Sequence, residues 1–231
     1  MTLIYLGAGA LGIREDEMQI IDVPTERTTA ITDAILAIFA ICAIAYLSRI
    51  GMQDPLKMEI WCGLFAFVAI AAALGAVVHG LVIPSRLKRL LRRSLALALA
   101  LSVVILSVGI AYDMWGISAI RRIIPAFLML MLGLYALANF TSFGRILLVV
   151  FVTFILFFAL CAYTVQAIRG QLNGAWLMSA SFLVTIIAGI IQASHSVSFT
   201  CVWEFDHNGT FHLVQFLGLF LLMLGLRDYF L

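Results

Sequence analysis

Glu204, Asp206, His207 and His212 fall within nine residues, in the stretch Trp203–Gln215 that opens the last apolar run of the chain. Imidazole and carboxylate are donors that bind zinc and groups that carry protons near neutral pH. Asn208 and His212, four apart, share one face of a helix, the spacing that lets two side chains line one site. The plainer role for this stretch is capping, since a helix start favours Asp and Asn. Metal or proton chemistry and capping are both open on these residues alone. Two more histidines, His79 and His195, and two more acids, Glu26 and Asp33, bear on the choice.

The elements that must position these groups are apolar runs. The chain has 231 residues, of which 64% are hydrophobic and 11% charged, and its mean hydropathy is +1.13. That composition fits a bundle in lipid and not a soluble domain. Residues 1–28 form a polar N-terminal segment ending in the turn Asp22-Val-Pro24, with Thr28 or Thr29 as cap of a first helix that runs to Ser48. Runs at 58–83, 94–112, 122–138, 145–165, 173–193 and 209–227 follow. Each has about the 17–26 residues that cross a bilayer core of roughly 30 Å. The reading is an all-α polytopic membrane protein, with one domain of seven transmembrane helices over 29–231. Met1–Leu11 is apolar but has no basic flank, so no cleavable signal peptide is expected. The four cysteines lie far apart, three of them inside apolar runs, which speaks against a disulfide framework or a thiolate zinc cluster.

Basic residues set the orientation. Arg86, Lys88, Arg89, Arg92 and Arg93 crowd what reads as the loop after helix 2, which should therefore face the cytoplasm together with the N-terminus. Eight of the 14 Lys and Arg residues then lie on that side, a thin excess. The cluster needs no role beyond contact with anionic headgroups, and a net charge of +2 gives no reason to expect a nucleic-acid partner. Alternation of seven helices brings Glu26, Asp33, His79, His195, Asp206, His207 and His212 to one membrane face. Asp33 and His79 lie inside otherwise unbroken apolar runs, where an ionisable group is costly and normally partnered. A first-turn acid and a hydrogen-bonded interhelical imidazole would explain each singly; a shared polar cavity explains them together. Asp113 and Arg121-Arg122 read as interface anchors.

Asp33 in helix 1, Gly75-Ala-Val-Val-His79 in helix 2 and Asp206-His-Asn208-Gly-Thr-Phe-His212 at helix 7 resemble the motifs of a superfamily of seven-helix membrane hydrolases. It contains alkaline ceramidases, adiponectin and progestin receptors, and GPI-anchor lipid-remodelling proteins. Its pattern is an acid or amide early in helix 1, Ser-x-x-x-His in helix 2, an Asp near helix 3 and His-x-x-x-His in helix 7. Gly75 stands in the serine slot and Asn208 in the slot of the first histidine, while the start of helix 3, Arg89–Ser94, holds no acid. The resemblance covers the whole topology through few matching residues. It implies a zinc ion on His79 and His212, with His207 or His195 as third ligand, and Asp33, Asp206 or Glu26 as base. On a continuous helix His207 would point about 140° away from His212. The activity so implied is ceramidase-like hydrolysis of an amide or ester bond in a membrane lipid. A non-enzymatic lipid-binding or sensing protein, or a transporter, with a structural or proton-carrying His/Asp cluster, is the alternative. Retinal chemistry is disfavoured because helix 7 has no lysine.

Overall fold

The computed structural model describes residues 19–194 and 196–231. Seven α-helices are found among them: α1 Pro24–Ile50, α2 Pro55–Gly80, α3 Ser85–Trp115, α4 Ile117–Phe140, α5 Ser142–Ile168, α6 Ala175–Ser194 and α7 His207–Phe230. All except α4 are long and apolar enough to cross a membrane; α4 contributes the shorter apolar stretch Ile124–Phe140. The chain is therefore an all-α, membrane-embedded helical bundle. Each helix packs against the next, α3 also meets α5, and α7 returns to α1, so the helices close into a ring.

The core is built from small residues that let helices approach and a few large rings that fill the remaining space. Ala37, Ala40 and Ala43 on α1 and Trp61, Phe65 and Tyr163 opposite are all buried. Small residues at such interfaces permit the close packing that holds helices together in lipid. Ile35, Ile38 and Ile41 on α1, and Val149, Phe154 and Phe157 on α5, point outward and are exposed. In water such faces would be a liability; against acyl chains they are solvated.

Helix ends depart from the sequence expectation in two places. α1 starts at Val23-Pro24, not at a threonine cap. Proline at the first helical position lacks only an N–H that has no helical acceptor, and its φ is already suitable. Thr28 and Thr29 consequently lie one turn inside, and the Thr28 hydroxyl donates to the Pro24 carbonyl at 3.0 Å. The basic stretch 86–93 is not a loop but the first turns of α3. Hydropathy ends at charge, whereas Arg, Lys and Leu are all good helix formers. The far end of α3 stops at a glycine: Gly116 has φ +73°, a backbone conformation open to glycine.

Two small ribbons finish the bundle. β1 Gln19–Ile20 pairs antiparallel with β2 Leu81–Val82, directly after α2. β3 Phe199–Thr200 pairs with β4 Glu204–Phe205 just before α7, and the Phe199 and Phe205 rings stack at 4.9 Å. Residues 1–18, which include the apolar Met1–Leu11, lie outside the described residues, as does His195.

Candidate functional site

The first turns of α1 carry Glu26, Thr28, Thr29, Thr32 and Asp33, and the i, i+4 spacing sets Thr28 over Thr32 and Thr29 over Asp33. α2 brings Gly75 and, one turn later, His79. α7 brings His212 from its second turn. α1 packs against both α2 and α7.

His212 is buried between the α1 side chains. Its Nδ1 lies 3.1 Å from Thr32 Oγ1, and its Nε2 lies 3.4 Å from Asp33 Oδ1. The Thr32 hydroxyl is already placed to donate to the carbonyls of Thr28 and Thr29, at 3.0 and 2.9 Å. Its lone pairs are then what Nδ1 meets, so Nδ1 carries a hydrogen and donates it to Thr32. Nε2 faces a carboxylate oxygen, a contact that is attractive when either partner carries a proton. Asp33 and His212, at 7% and 11% side-chain exposure, form an enclosed imidazole–carboxyl pair.

His79 is held differently. Its Nδ1 is 2.7 Å from Glu26 Oε2, at the half-exposed rim of the cluster. A carboxylate on Nδ1 fixes the tautomer and aims the Nε2 lone pair elsewhere. The two imidazoles are near enough to interact electrostatically.

Gly75 explains how Asp33 fits. A Cβ at that position would stand 2.8 Å from Asp33 Cγ and overlap its carboxylate. The space that a side chain at this position would take is filled by the Asp33 carboxylate. Gly75→Ala is expected to cost about 1–3 kcal/mol through overpacking, read as a lowered thermal midpoint in detergent. Asp33→Ser in the same chain should relieve most of that loss, and equal melting of Gly75→Ala and wild type would show that the carboxylate is not confined.

Asp206 and His207 make contacts of their own. Asp206 caps α7, its Oδ1 accepting from the N–H groups of Asn208 and Gly209 at 3.0 and 2.9 Å. His207 occupies the first position of α7, with Nδ1 4.0 Å from Asp206 Oδ2. It is not displaced into the preceding loop, the placement in which it could turn towards His212. Imidazole and carboxylate donors suit zinc chemically, yet among the described residues no group of three or more His, Cys, Asp or Glu side chains is placed to hold a metal ion. The described residues thus do not form a three-ligand zinc site; His195 lies beyond them.

A second polar cluster, at the opposite end of α2, is not anticipated by the sequence reading. Asp113 is no interface anchor: its carboxylate lies 2.8 Å from Lys57 Nζ, and each side chain is 1% exposed. Tyr163 donates to Asp113 Oδ2 at 2.7 Å. Tyr112 and Tyr229 donate to Asp54, at 3.0 and 3.2 Å, and Lys57 Nζ rests 3.2 Å above the Tyr229 ring. The available signal was Asp54-Pro55-Leu-Lys57, a cap followed by a lysine in the first helical turn, directly before the apolar run.

No curated protein and no solved structure matches the chain. Residues 28–229, from the first turns of α1 to the last turn of α7, match a family of unknown function (DUF6962). The chain belongs to that family.

Proposed function

We propose that the protein spans the membrane seven times and that the α1–α2–α7 cluster is a hydrolytic centre for an amide or ester bond of a membrane lipid. One observation carries this reading: Glu26, Asp33, His79 and His212, remote in sequence, converge as two carboxylate–imidazole pairs at one end of the bundle. Two such pairs supply a base and an acid. Glu26 orients His79, so Nε2 takes the proton of a water that attacks the lipid carbonyl. The Asp33–His212 pair, holding one proton, gives it to the departing amine nitrogen or alcohol oxygen, and the proton gained by His79 returns to the pair after product leaves. Thr32 holds the His212 ring in place.

The test is release of free fatty acid, followed by mass spectrometry, from ceramide and glycerophospholipid in mixed micelles with the purified protein. Fatty acid formed from at least one lipid class is expected. Elemental analysis of the same preparation is expected to show well under one zinc per chain, and Asn208→His, which restores an i, i+4 imidazole pair with His212, should raise it. One zinc per wild-type chain would mean that a residue such as His195 completes a site.

A second reading is favoured by the burial of Asp33 and His212 behind the half-exposed Glu26: a cluster that carries protons in a non-enzymatic lipid-binding protein or transporter. No fatty acid from any lipid, with intact folding, would decide for it.

In orientation, we place the N-terminus and the basic start of α3 in the cytoplasm. Lys57 is buried in an ion pair and drops out of the opposing count, which widens the bias. A reporter fused after Leu231 should read extracytoplasmic; a cytoplasmic signal reverses the assignment.

A further inference from the structure

The Asp54–Lys57–Asp113 cluster has features that a simple clasp between helices does not need. It joins the start of α2 to α3, α5 and α7, with Asp54 half-buried at the surface and Lys57 and Asp113 enclosed. Among the described residues, the buried side-chain atoms that lack a hydrogen-bond partner are Lys57 Nζ, Trp61 Nε1 and Gln166 Oε1. All three border this cluster. Lys57 has three N–H bonds to place and meets one carboxylate oxygen, of Asp113, and one ring face, of Tyr229. Trp61 lies one turn along α2 from Lys57, its ring 6.5 Å from that of Tyr163. Gln166 lies one turn along α5 from Tyr163, and its amide nitrogen contacts Met114 Sδ beside Asp113 at 3.3 Å. An indole N–H and an amide oxygen without partners beside one ion pair are what buried water satisfies.

The charges are also uneven. Two carboxylates face one ammonium, and Tyr112, Tyr163 and Tyr229 add hydrogen bonds without charge. The cation at the end of α7, Arg227, is taken by Asp228 at 2.6 Å. Lys57 balances the enclosed Asp113, and Asp54, half-buried beside them, leaves the cluster with one carboxylate more than its cation; a proton is the smallest ion that removes that excess.

We propose that this cluster is a proton-binding site, entered by water past Asp54 from the membrane face opposite the histidines. Hydronium passes its proton to a carboxylate of the Asp54/Asp113 set and remains as water; the reverse step releases the proton to the same face. The site is separate from the hydrolytic centre and does not depend on it. α2 alone puts about 30 Å between their levels.

Infrared difference spectroscopy of the full chain in phospholipid nanodiscs tests this. A carboxylic-acid C=O band is expected that responds to a pH step, shifts in D2O, and disappears in Asp54→Asn or Asp113→Asn. Removing one phenol donor should move the same band, through Tyr163→Phe if Asp113 holds the proton and through Tyr112→Phe or Tyr229→Phe if Asp54 does. These phenylalanine variants keep the rings and serve where the asparagine variants do not fold. A purely structural ion pair has both carboxylates ionised and gives no such band. The proposal is overturned if the only exchangeable carboxyl band is one that Asp33→Asn removes, or if the band is indifferent to all three phenylalanine variants.

Discussion

Lys57→Met is expected to destabilise the bundle by about 3–5 kcal/mol, the largest stability loss of any single change considered. The ammonium lies 2.8 Å from Asp113, both side chains are 1% exposed, and no other cation is paired with Asp113 among the described residues. Removing the lysine strands a carboxylate inside the protein, and the lost contact with the Tyr229 ring adds to that. Changing both partners, Lys57→Met with Asp113→Leu, should recover most of the loss, because packed apolar side chains often replace a buried pair without penalty. Unfolding in detergent, followed by circular dichroism for wild type, single and double variants, gives the comparison. A single variant as stable as wild type would sink the claim that the pair is enclosed.

The largest effect on activity is expected at His79. His79→Ala should lower the rate of lipid hydrolysis by about 10²–10⁴, the usual contribution of a positioned general base. Glu26→Gln keeps the ring and only weakens its orientation, so a smaller fall is expected, with the substrate concentration for half-maximal rate unchanged. The same order should appear on every lipid the wild type cleaves. If His79→Ala cleaves as fast as wild type, the α2 histidine is a structural hydrogen-bonding group and the hydrolytic assignment fails.

What the sequence made legible follows from the kind of information each feature needs. The helices stand out because apolar runs and their punctuation are local; Gly116 and Pro84 mark real ends. The meeting of Asp33, His79 and His212 follows from alternation, which sorts residues by membrane face without knowledge of helix rotation. The basic start of α3 was read as a loop because a hydropathy pattern cannot tell a solvated helix from a solvated loop. Asp113 was misjudged for a different reason. A carboxylate near a helix end points to water or to protein according to rotation, and its partners come from α2 and α5. Capping by Asp206 is one of the two roles that its sequence position leaves open, whereas the filling of the Gly75 space by Asp33 depends on how closely α1 approaches α2.

The β1–β2 ribbon has a consequence for the order of biosynthesis. Gln19 and Ile20 are made first among the described residues, but their partners Val82 and Leu81 emerge only after the whole of α2. The ribbon therefore closes behind a completed helical hairpin and ties its two open ends on one side. Within that hairpin Glu26 already has His79, so one polar pair is satisfied from the start. Asp33 has no such early partner: His212 belongs to the last helix translated. Until then the nascent chain carries a solitary acid beside Gly75, and the arrival of α7 both closes the ring and relieves it.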